Sequence, residues 1–144
     1  MNENNQHAAE FRWPVRVYIE DTDAGGIVYY VNYLKFMERA RTEFLRYLGY
    51  DHAQMIREGS MVVIHSAQID YQKPAQLDDE LEVSVRLTEL KRTYLYFDQE
   101  IIERGSGQVL VKARIKGACV NKETLRPCAM PKQMLQELGQ WLTA

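Results

Sequence analysis

The sequence lacks the features that mark several classes of protein. Its 144 residues include only two cysteines, Cys119 and Cys128, which are too few for a disulfide framework and do not form a CxxC pair. No apolar run approaches the roughly 20 residues that a transmembrane helix needs. The two cysteines are expected to be reduced thiols, as is usual in the cytosol, so the sequence predicts a cytoplasmic protein.

Concentrated positive charge and clustered metal ligands are also missing. The formal net charge is −2, whereas a nucleic-acid-binding protein usually has a basic face, so we expect no nucleic-acid partner. His7, His52 and His65 lie far apart, without a HExxH motif or a Cys/His cluster, and predict no metal site; we expect no cofactor. The absence of a Gly-x-Ser-x-Gly motif argues against a serine hydrolase of the α/β type.

The length and the N-terminal composition predict one domain with a short lead-in. Residues 1–10 lack the basic and apolar regions of a signal peptide, and we expect them to be disordered. Residues 11–144 suit a single compact core and leave no room for a second one.

Apolar residues that alternate with polar ones predict five strands. The first covers residues 13–20 and directs Val15, Val17 and Ile19 towards a core. The other four are expected to follow one another as a meander, and they cover residues 60–71, 80–90, 93–103 and 108–121.

One long helix separates the first strand from the others. Apolar residues recur at i, i+3 and i+4 over residues 32–48, with Asn32 as the expected N-cap and Gly49 as the expected stop. Shorter helices are predicted at residues 51–57 and 131–141. A largely buried helix with five antiparallel strands predicts an α+β fold in which the sheet covers the helix.

A single sheet of this kind leaves its edges and part of its apolar surface uncovered. Val109, Val111, Ile115 and Val120 of the last strand are expected to lie on that surface. Exposed strand edges and apolar patches are usually covered by another chain, so the pattern predicts an oligomer.

Residues 21–30 combine groups that can do chemistry together. Asp21 and Asp23 are followed by Gly25, Gly26 and the start of the predicted helix. The free N–H groups at a helix N-terminus can hold a developing oxyanion, and a nearby carboxylate can act as nucleophile or general base. An aspartate before a helix is also commonly a cap or a turn residue, so the spacing alone leaves both interpretations open.

Several segments of the chain are more specific than these patterns. They read VRVYIEDTDAGGIVY at residues 15–29, ERARTE at residues 38–43 and DYQKPA at residues 70–75. Together they resemble the hot-dog-fold thioesterases related to 4-hydroxybenzoyl-CoA thioesterase, and the likeness extends over residues 11–138. The FRWP lead-in at residues 11–14 is similar to the branch of this family associated with the Tol–Pal envelope system.

The resemblance implies a fold, an activity and a set of site residues. Its fold is a five-stranded antiparallel sheet wrapped around a long central helix, and its members are dimers or tetramers with sites at the subunit interface. It implies hydrolysis of acyl-CoA to a free acid and CoA without a cofactor. Asp23 is then the catalytic carboxylate, the Tyr30 backbone N–H is the oxyanion donor, and Gly26 and Ile27 bind substrate.

One position departs from the pattern of the Tol–Pal branch. Its members typically carry histidine directly after Val-Tyr, where this chain has Tyr30. The backbone N–H is unaffected by the side chain, so the implied oxyanion role persists. A tyrosine does not replace histidine as a base at neutral pH, and the side-chain role of that histidine is not carried over.

Two alternatives to a thioesterase stay open. Hydratases and dehydratases of the same fold normally pair a histidine with an acidic residue on the central helix, and residues 32–48 contain no histidine. The protein could instead be an interaction component of lipid synthesis or of the cell envelope, with weak or vestigial activity. The aromatic residues of this region are expected to line an acyl pocket or to belong to the core: Tyr29, Tyr30, Tyr33 and Phe36.

Overall fold

The structure is a computed structural model that describes residues 10–50 and 52–142. Most of the predicted lead-in therefore lies outside the described residues, and its disorder stays a prediction. The strands are β1 (Glu10–Arg16), β2 (Ser60–Tyr71), β3 (Glu80–Leu90), β4 (Tyr94–Glu103) and β5 (Val109–Asn121). The helices are α1 (Asn32–Tyr47), α2 (His52–Arg57) and α3 (Lys132–Gly139).

The five strands form one antiparallel sheet in the order β1-β3-β4-β5-β2. The predicted meander of four strands is wrong, because β2 pairs with β5 at the far edge and not with β3. Hydrogen bonds hold the connection between β2 and β3 against the loop of residues 21–30: Val28 N–H donates to Ala75 O at 2.9 Å, and Leu77 N–H donates to Gly26 O at 3.2 Å. The connection therefore carries the chain across the fold instead of turning it back.

The first strand ends earlier than its apolar alternation predicts. It stops at Arg16, and a 3-10 turn follows at Ile19–Asp21. Val17 is fully buried as expected, but Ile19 is 76% exposed. The Asp21 carboxylate accepts a hydrogen bond from Tyr18 N–H at 2.9 Å. This local bond to a side chain takes the place of a further backbone hydrogen bond between strands.

The central helix α1 supplies much of the core. Its inward face consists of Tyr33, Phe36, Met37, Ala40, Phe44 and Leu45, all buried, whereas Leu34 of the predicted apolar stripe is 39% exposed. Each large apolar side chain of this kind contributes about 1.5–3 kcal/mol when it is buried. The expected stop is confirmed, since Gly49 has φ +97° and donates its N–H to Arg46 O at 2.9 Å.

Two features near α1 were not expected. Asn32 is the first helical residue and not the N-cap, and its side chain reaches back to Asp21. Arg41 Nη1 donates to Gln99 Oε1 at 2.8 Å, and Gln99 Nε2 donates to Met37 O at 3.1 Å. Burial lowers the pKa of Arg41 to about 10. This polar chain ties α1 to β4 through a buried glutamine.

The apolar residues of β5 do not form the uncovered surface that was expected of them. Val111, Ile115 and Val120 are at most 6% exposed within one chain, and Val109 is half-buried. Val111 and Ile115 belong to the core that β5 shares with α1. The large apolar side chains exposed on β2 are Ile64 and Tyr71, which are 49% and 47% exposed. An argument for an oligomer must therefore rest on β2 and not on β5.

The helices of the described residues are short or amphipathic. None of them, within residues 10–50 and 52–142, is long and apolar enough to cross a membrane.

Candidate active site

Residues 21–30 fold into a narrow loop that is closed by its own backbone. Asp23 N–H donates to Ile27 O at 3.0 Å, Gly26 N–H donates to Asp23 O at 3.1 Å, and Thr22 forms a β-bridge with Val28. Gly26 has φ +81°, a conformation that glycine adopts at little cost and other residues rarely adopt. The loop can therefore reverse the chain direction because the residue at the reversal is glycine.

Asp21 holds the base of the loop. Asp21 is only 5% exposed, and both of its carboxylate oxygens accept hydrogen bonds. Oδ2 accepts Tyr18 N–H at 2.9 Å, Oδ1 accepts Asn32 Nδ2 at 2.9 Å, and the backbone carbonyl accepts Tyr29 N–H at 2.9 Å. Asp21 thus connects the end of the first strand to the first residue of α1, which is a structural role.

Asp23 lies in a different environment two residues later. It is exposed, and its Oδ1 accepts Gly25 N–H at 2.9 Å in a local turn. Among the described residues, none donates a hydrogen bond to Oδ2. This carboxylate therefore has an oxygen available for a substrate or a water molecule.

The start of α1 offers free backbone donors beside this loop. The N–H groups of Asn32, Tyr33 and Leu34 already bond to the carbonyls three residues earlier, at 2.8, 3.4 and 3.1 Å. The N–H groups of Tyr30 and Val31 have no acceptor among residues 10–50 and 52–142. Unpaired donors at the positive end of a helix suit an oxygen that becomes negatively charged during reaction.

Gly26 and Ile27 occupy the same loop with different surroundings. The Gly26 N–H donates to Asp23 O within the loop and the Gly26 carbonyl accepts Leu77 N–H from the β2–β3 connection, so its contribution there is the shape of the turn. Ile27 presents a side chain that is 37% exposed. Their role in substrate binding stays a prediction.

An aromatic cluster joins the helix start to the end of β2. Tyr71 lies with its ring centroid 6.0 Å from that of Tyr30 and 5.7 Å from that of Tyr33, and Tyr29 is 5.2 Å from Tyr30. Burial raises the pKa of Tyr71. Tyr71 was not singled out from the sequence, although it lies within the DYQKPA segment on which the resemblance partly rests.

The aromatic residues divide between core and surface. Phe36 is fully buried and Tyr33 is 3% exposed, so both belong to the core. Tyr33 also accepts the buried Ala75 N–H at 2.9 Å through its hydroxyl group. Tyr29 and Tyr30 are 47% and 60% exposed, and with Tyr71 they form an open aromatic surface beside the loop.

Groups of metal-ligating side chains are absent from this region. No cluster of three or more His, Cys, Asp or Glu residues that could hold a metal ion occurs in the part of the chain that the structure describes.

Comparison with known proteins identifies the relatives of this chain. A family model described as the thioesterase-like superfamily matches residues 17–138. The acyl-CoA thioester hydrolase YbgC of Escherichia coli O6:H1 is 41% identical over 130 residues, which cover 90% of this chain and 96% of that protein. The acyl-CoA thioesterase YbgC of Haemophilus influenzae is 42% identical over 125 residues, which cover 86% and 90% of the two chains.

A solved structure confirms the architecture. Slr0204, a 1,4-dihydroxy-2-naphthoyl-CoA thioesterase from Synechocystis, matches with a TM-score of 0.85 over 90% of this chain and 96% of that chain. Its sequence identity is 24%, so the likeness shows the fold alone. The expected hot-dog fold, a five-stranded antiparallel sheet around one long helix, is confirmed.

Proposed function

The chain belongs to the thioesterase-like superfamily and is a thioester hydrolase, and we propose that it hydrolyses acyl-CoA with Asp23 as the catalytic carboxylate. The observation that carries the assignment is the contrast within one loop. Asp21 has both oxygens bonded in a buried site, whereas Asp23 is exposed with only Oδ1 bonded among the described residues. Of the two carboxylates, Asp23 has the oxygen that a substrate can reach.

Two routes from this carboxylate lead to the same products. In one, an Asp23 oxygen attacks the thioester carbonyl carbon, CoA leaves as the thiolate, and water hydrolyses the resulting mixed anhydride. In the other, Asp23 takes a proton from a water molecule that attacks the carbonyl directly. Both routes place negative charge on the carbonyl oxygen, and neither uses a cofactor.

The free backbone donors at the start of α1 are the proposed site for that oxygen. The Tyr30 N–H is the assigned donor, and the Val31 N–H is the neighbouring unpaired one. Loss of one such donor typically lowers kcat by about 10²–10³-fold. Because the donor is a backbone group, its action does not depend on the Tyr30 side chain.

The aromatic surface beside the loop is the proposed contact for the acyl group. Tyr29, Tyr30 and Tyr71 present partly exposed rings, and Ile27 adds an exposed aliphatic side chain. Apolar and aromatic side chains with a few convergent polar groups are the usual composition of a small-molecule site. We expect this surface to contact either an aryl or an aliphatic acyl group.

The proposed enzyme acts as a homo-oligomer, either a dimer or a tetramer. Support comes from β2, an edge strand with five consecutive exposed residues at positions 64–68. The opposite edge differs, since Arg12 and Arg16 of β1 make ion pairs with Glu82 and Glu80 of β3 at 2.9 and 2.8 Å. An edge strand with unpaired backbone groups can pair with a second chain.

Sedimentation velocity across a range of protein concentrations tests the proposed oligomer. A monomer at every concentration would contradict the proposal.

The activity is tested by CoA release from a panel of short aliphatic, long aliphatic and aromatic acyl-CoAs. Asp23→Asn should lower kcat by at least about 10²-fold, because the amide is neither a nucleophile nor a base. Asp78→Asn is the matched control, since Asp78 is also an exposed aspartate in a turn and should keep wild-type kcat. A folded Asp23→Asn variant with full activity would overturn the assignment.

A single-turnover experiment in ¹⁸O-labelled water separates the two routes. If Asp23 is the nucleophile, hydrolysis of the anhydride at the Asp23 carbonyl leaves unlabelled oxygen in the first molecule of acid. If Asp23 is a general base, the first molecule of acid carries the label. Cleavage of the anhydride at the acyl carbon also labels the acid, so trapping an acyl-enzyme with hydroxylamine completes the test.

The remaining expectations concern an alternative activity, the location and the partners. The hydratase alternative is weakened by the absence of histidine from Asn32–Tyr47, and conversion of an enoyl-CoA without CoA release would restore it. A cytoplasmic location stays a prediction that rests on the two unlinked cysteines. Partners in lipid synthesis or the cell envelope stay a prediction from the sequence resemblance.

A further inference from the structure

The only two cysteines of the chain are in contact, although nine positions separate them in sequence. The Sγ atoms of Cys119 and Cys128 lie 3.6 Å apart. Cys119 is on β5, and Cys128 lies in the segment that leads to α3. Sequence spacing gives no sign of this pair, because it arises from the turn between them.

The backbone of this turn holds the two cysteines opposite each other. Cys128 N–H donates to Cys119 O at 2.9 Å, and Asn121 N–H donates to Arg126 O at 2.9 Å. Val120 and Pro127 form an antiparallel bridge between them. The Asn121 side chain closes the turn, since its Oδ1 accepts two backbone N–H groups at 2.8 and 3.0 Å.

Because one backbone hydrogen bond joins the two cysteines across the turn, we expect their Cα atoms to lie within the range that a disulfide needs. Residues directly opposite in an antiparallel pair have Cα atoms about 4.5–5.5 Å apart. A disulfide needs a Cα separation of about 4.4–6.8 Å. The bond can therefore form by rotation of the two side chains, with little backbone movement.

The two thiols differ in their access to solvent. Cys119 is fully buried, and burial raises its pKa to about 12, so it is not the first of the two thiols to react at neutral pH. Cys128 is half-buried and is the thiol that a reagent from solution can reach first. The pair thus has an outer thiol to receive a reagent and an inner thiol to complete the reaction.

We propose that Cys119 and Cys128 are a site of reversible disulfide formation by exchange with a low-molecular-weight disulfide such as glutathione disulfide. Cys128 attacks one sulfur of the reagent, forms a mixed disulfide and releases one molecule of glutathione, which carries away the Cys128 proton. Cys119 then attacks the Cys128 sulfur and releases the second glutathione, which takes the Cys119 proton. The two protein thiols are oxidised, and one glutathione disulfide is reduced to two thiols.

The bond would act on the C-terminal part of the fold and leave the catalytic loop untouched. Cys119 is at the end of β5 where Ser60 pairs with Asn121, whereas Tyr71 beside the catalytic loop pairs with Val111 at the other end. Downstream of Cys128, Met134 and Leu138 of α3 are fully buried in the core. The disulfide fastens the segment that carries α3 to the central sheet.

Thiol counting with mass spectrometry tests the proposal on the wild-type protein. After incubation with glutathione disulfide and unfolding, both cysteines should resist alkylation by iodoacetamide, and the intact mass should fall by two hydrogen atoms. Dithiothreitol should restore both thiols. Closing a loop of this length should raise Tm by on the order of 5–10 °C, with unchanged CoA release.

Two variants identify the order of reaction. Cys119→Ala should stop at a stable glutathione adduct on Cys128, and Cys128→Ser should leave Cys119 unreacted under the same conditions. The proposal is overturned if the oxidised wild type keeps two alkylatable thiols, ends as a glutathione adduct or forms the disulfide between two chains. Because the wild-type measurement decides these outcomes, the test stands even if a variant fails to fold.

Discussion

Asp21 and Asp23 are the same residue type two positions apart in one loop, yet their surroundings differ. Asp21 is buried and accepts hydrogen bonds from Tyr18 and Asn32. Asp23 is exposed, and among the described residues it accepts only the Gly25 N–H. A carboxylate whose two oxygens both accept hydrogen bonds within the fold has a structural role, whereas a carboxylate with an unbonded oxygen is available for a reaction.

The same division recurs among the other residues of the loop. Gly26 shapes the turn while neighbouring Ile27 is exposed, and Tyr33 is bonded in the core while Tyr30 faces outward. One member of each pair holds the loop in place, and the other is presented at its surface. Paired substitutions should therefore separate effects on stability from effects on turnover.

The largest expected effect on stability comes from removing the two carboxylates in turn. Asp21→Ala leaves the Tyr18 N–H and the Asn32 amide without their acceptor, and should lower the free energy of unfolding by about 2–4 kcal/mol. Asp23→Ala removes one exposed bond and should cost about 0.5 kcal/mol. Urea denaturation measures both values, and equal losses would remove the distinction between the two residues.

A smaller effect is expected from the glycines. Gly26→Ala forces a side chain into φ +81° and should cost about 1–2 kcal/mol, with a loss of kcat because the turn carries Asp23. Gly105→Ala is the control, since Gly105 lies in an exposed turn where an added Cβ meets nothing within 4 Å. It should change the free energy of unfolding by less than about 0.5 kcal/mol. Thermal unfolding and CoA release check both variants, and a costlier Gly105→Ala would contradict the interpretation.

The smallest effect is expected from the tyrosine hydroxyl groups. Tyr33→Phe leaves the buried Ala75 N–H without its acceptor and should cost about 1 kcal/mol of unfolding free energy. Tyr30→Phe removes an exposed hydroxyl, so it should leave Tm unchanged and keep most of the turnover, because the proposed donor is the backbone N–H. A large loss of kcat in Tyr30→Phe would instead assign a chemical role to the hydroxyl.

Much of the secondary structure could be predicted from the sequence because it depends on local spacing. The buried face of α1 follows i, i+3 and i+4 periodicity, and Gly49 ends the helix in a conformation that glycine favours. The strands β2 to β5 lie within one residue of their predicted bounds for the same reason. The exposed Ile19 and the N-cap expected at Asn32 are local failures, since the Asp21 side chain bonds to Tyr18 N–H and to the Asn32 side chain.

The arrangement of these elements depended on contacts between distant residues. The place of β2 beside β5 is fixed by backbone pairing of residues 60–71 with residues 111–121, and the 72–79 connection bonds to the loop of residues 21–30. Tyr71 joins the aromatic surface only because the fold places the end of β2 close in space to the start of α1. No spacing within the sequence reports such contacts.

The sequence by itself determined the loop with its two aspartates, the glycines that turn it and the helix that follows, because these depend on neighbouring residues. Its resemblance to a family pointed to Asp23. Only the tertiary structure decided what each carboxylate touches, since burial and hydrogen bonding arise when Tyr18 and Asn32 are brought to Asp21. The contact between Cys119 and Cys128 was decided in the same way, by a turn that places two separated residues opposite each other.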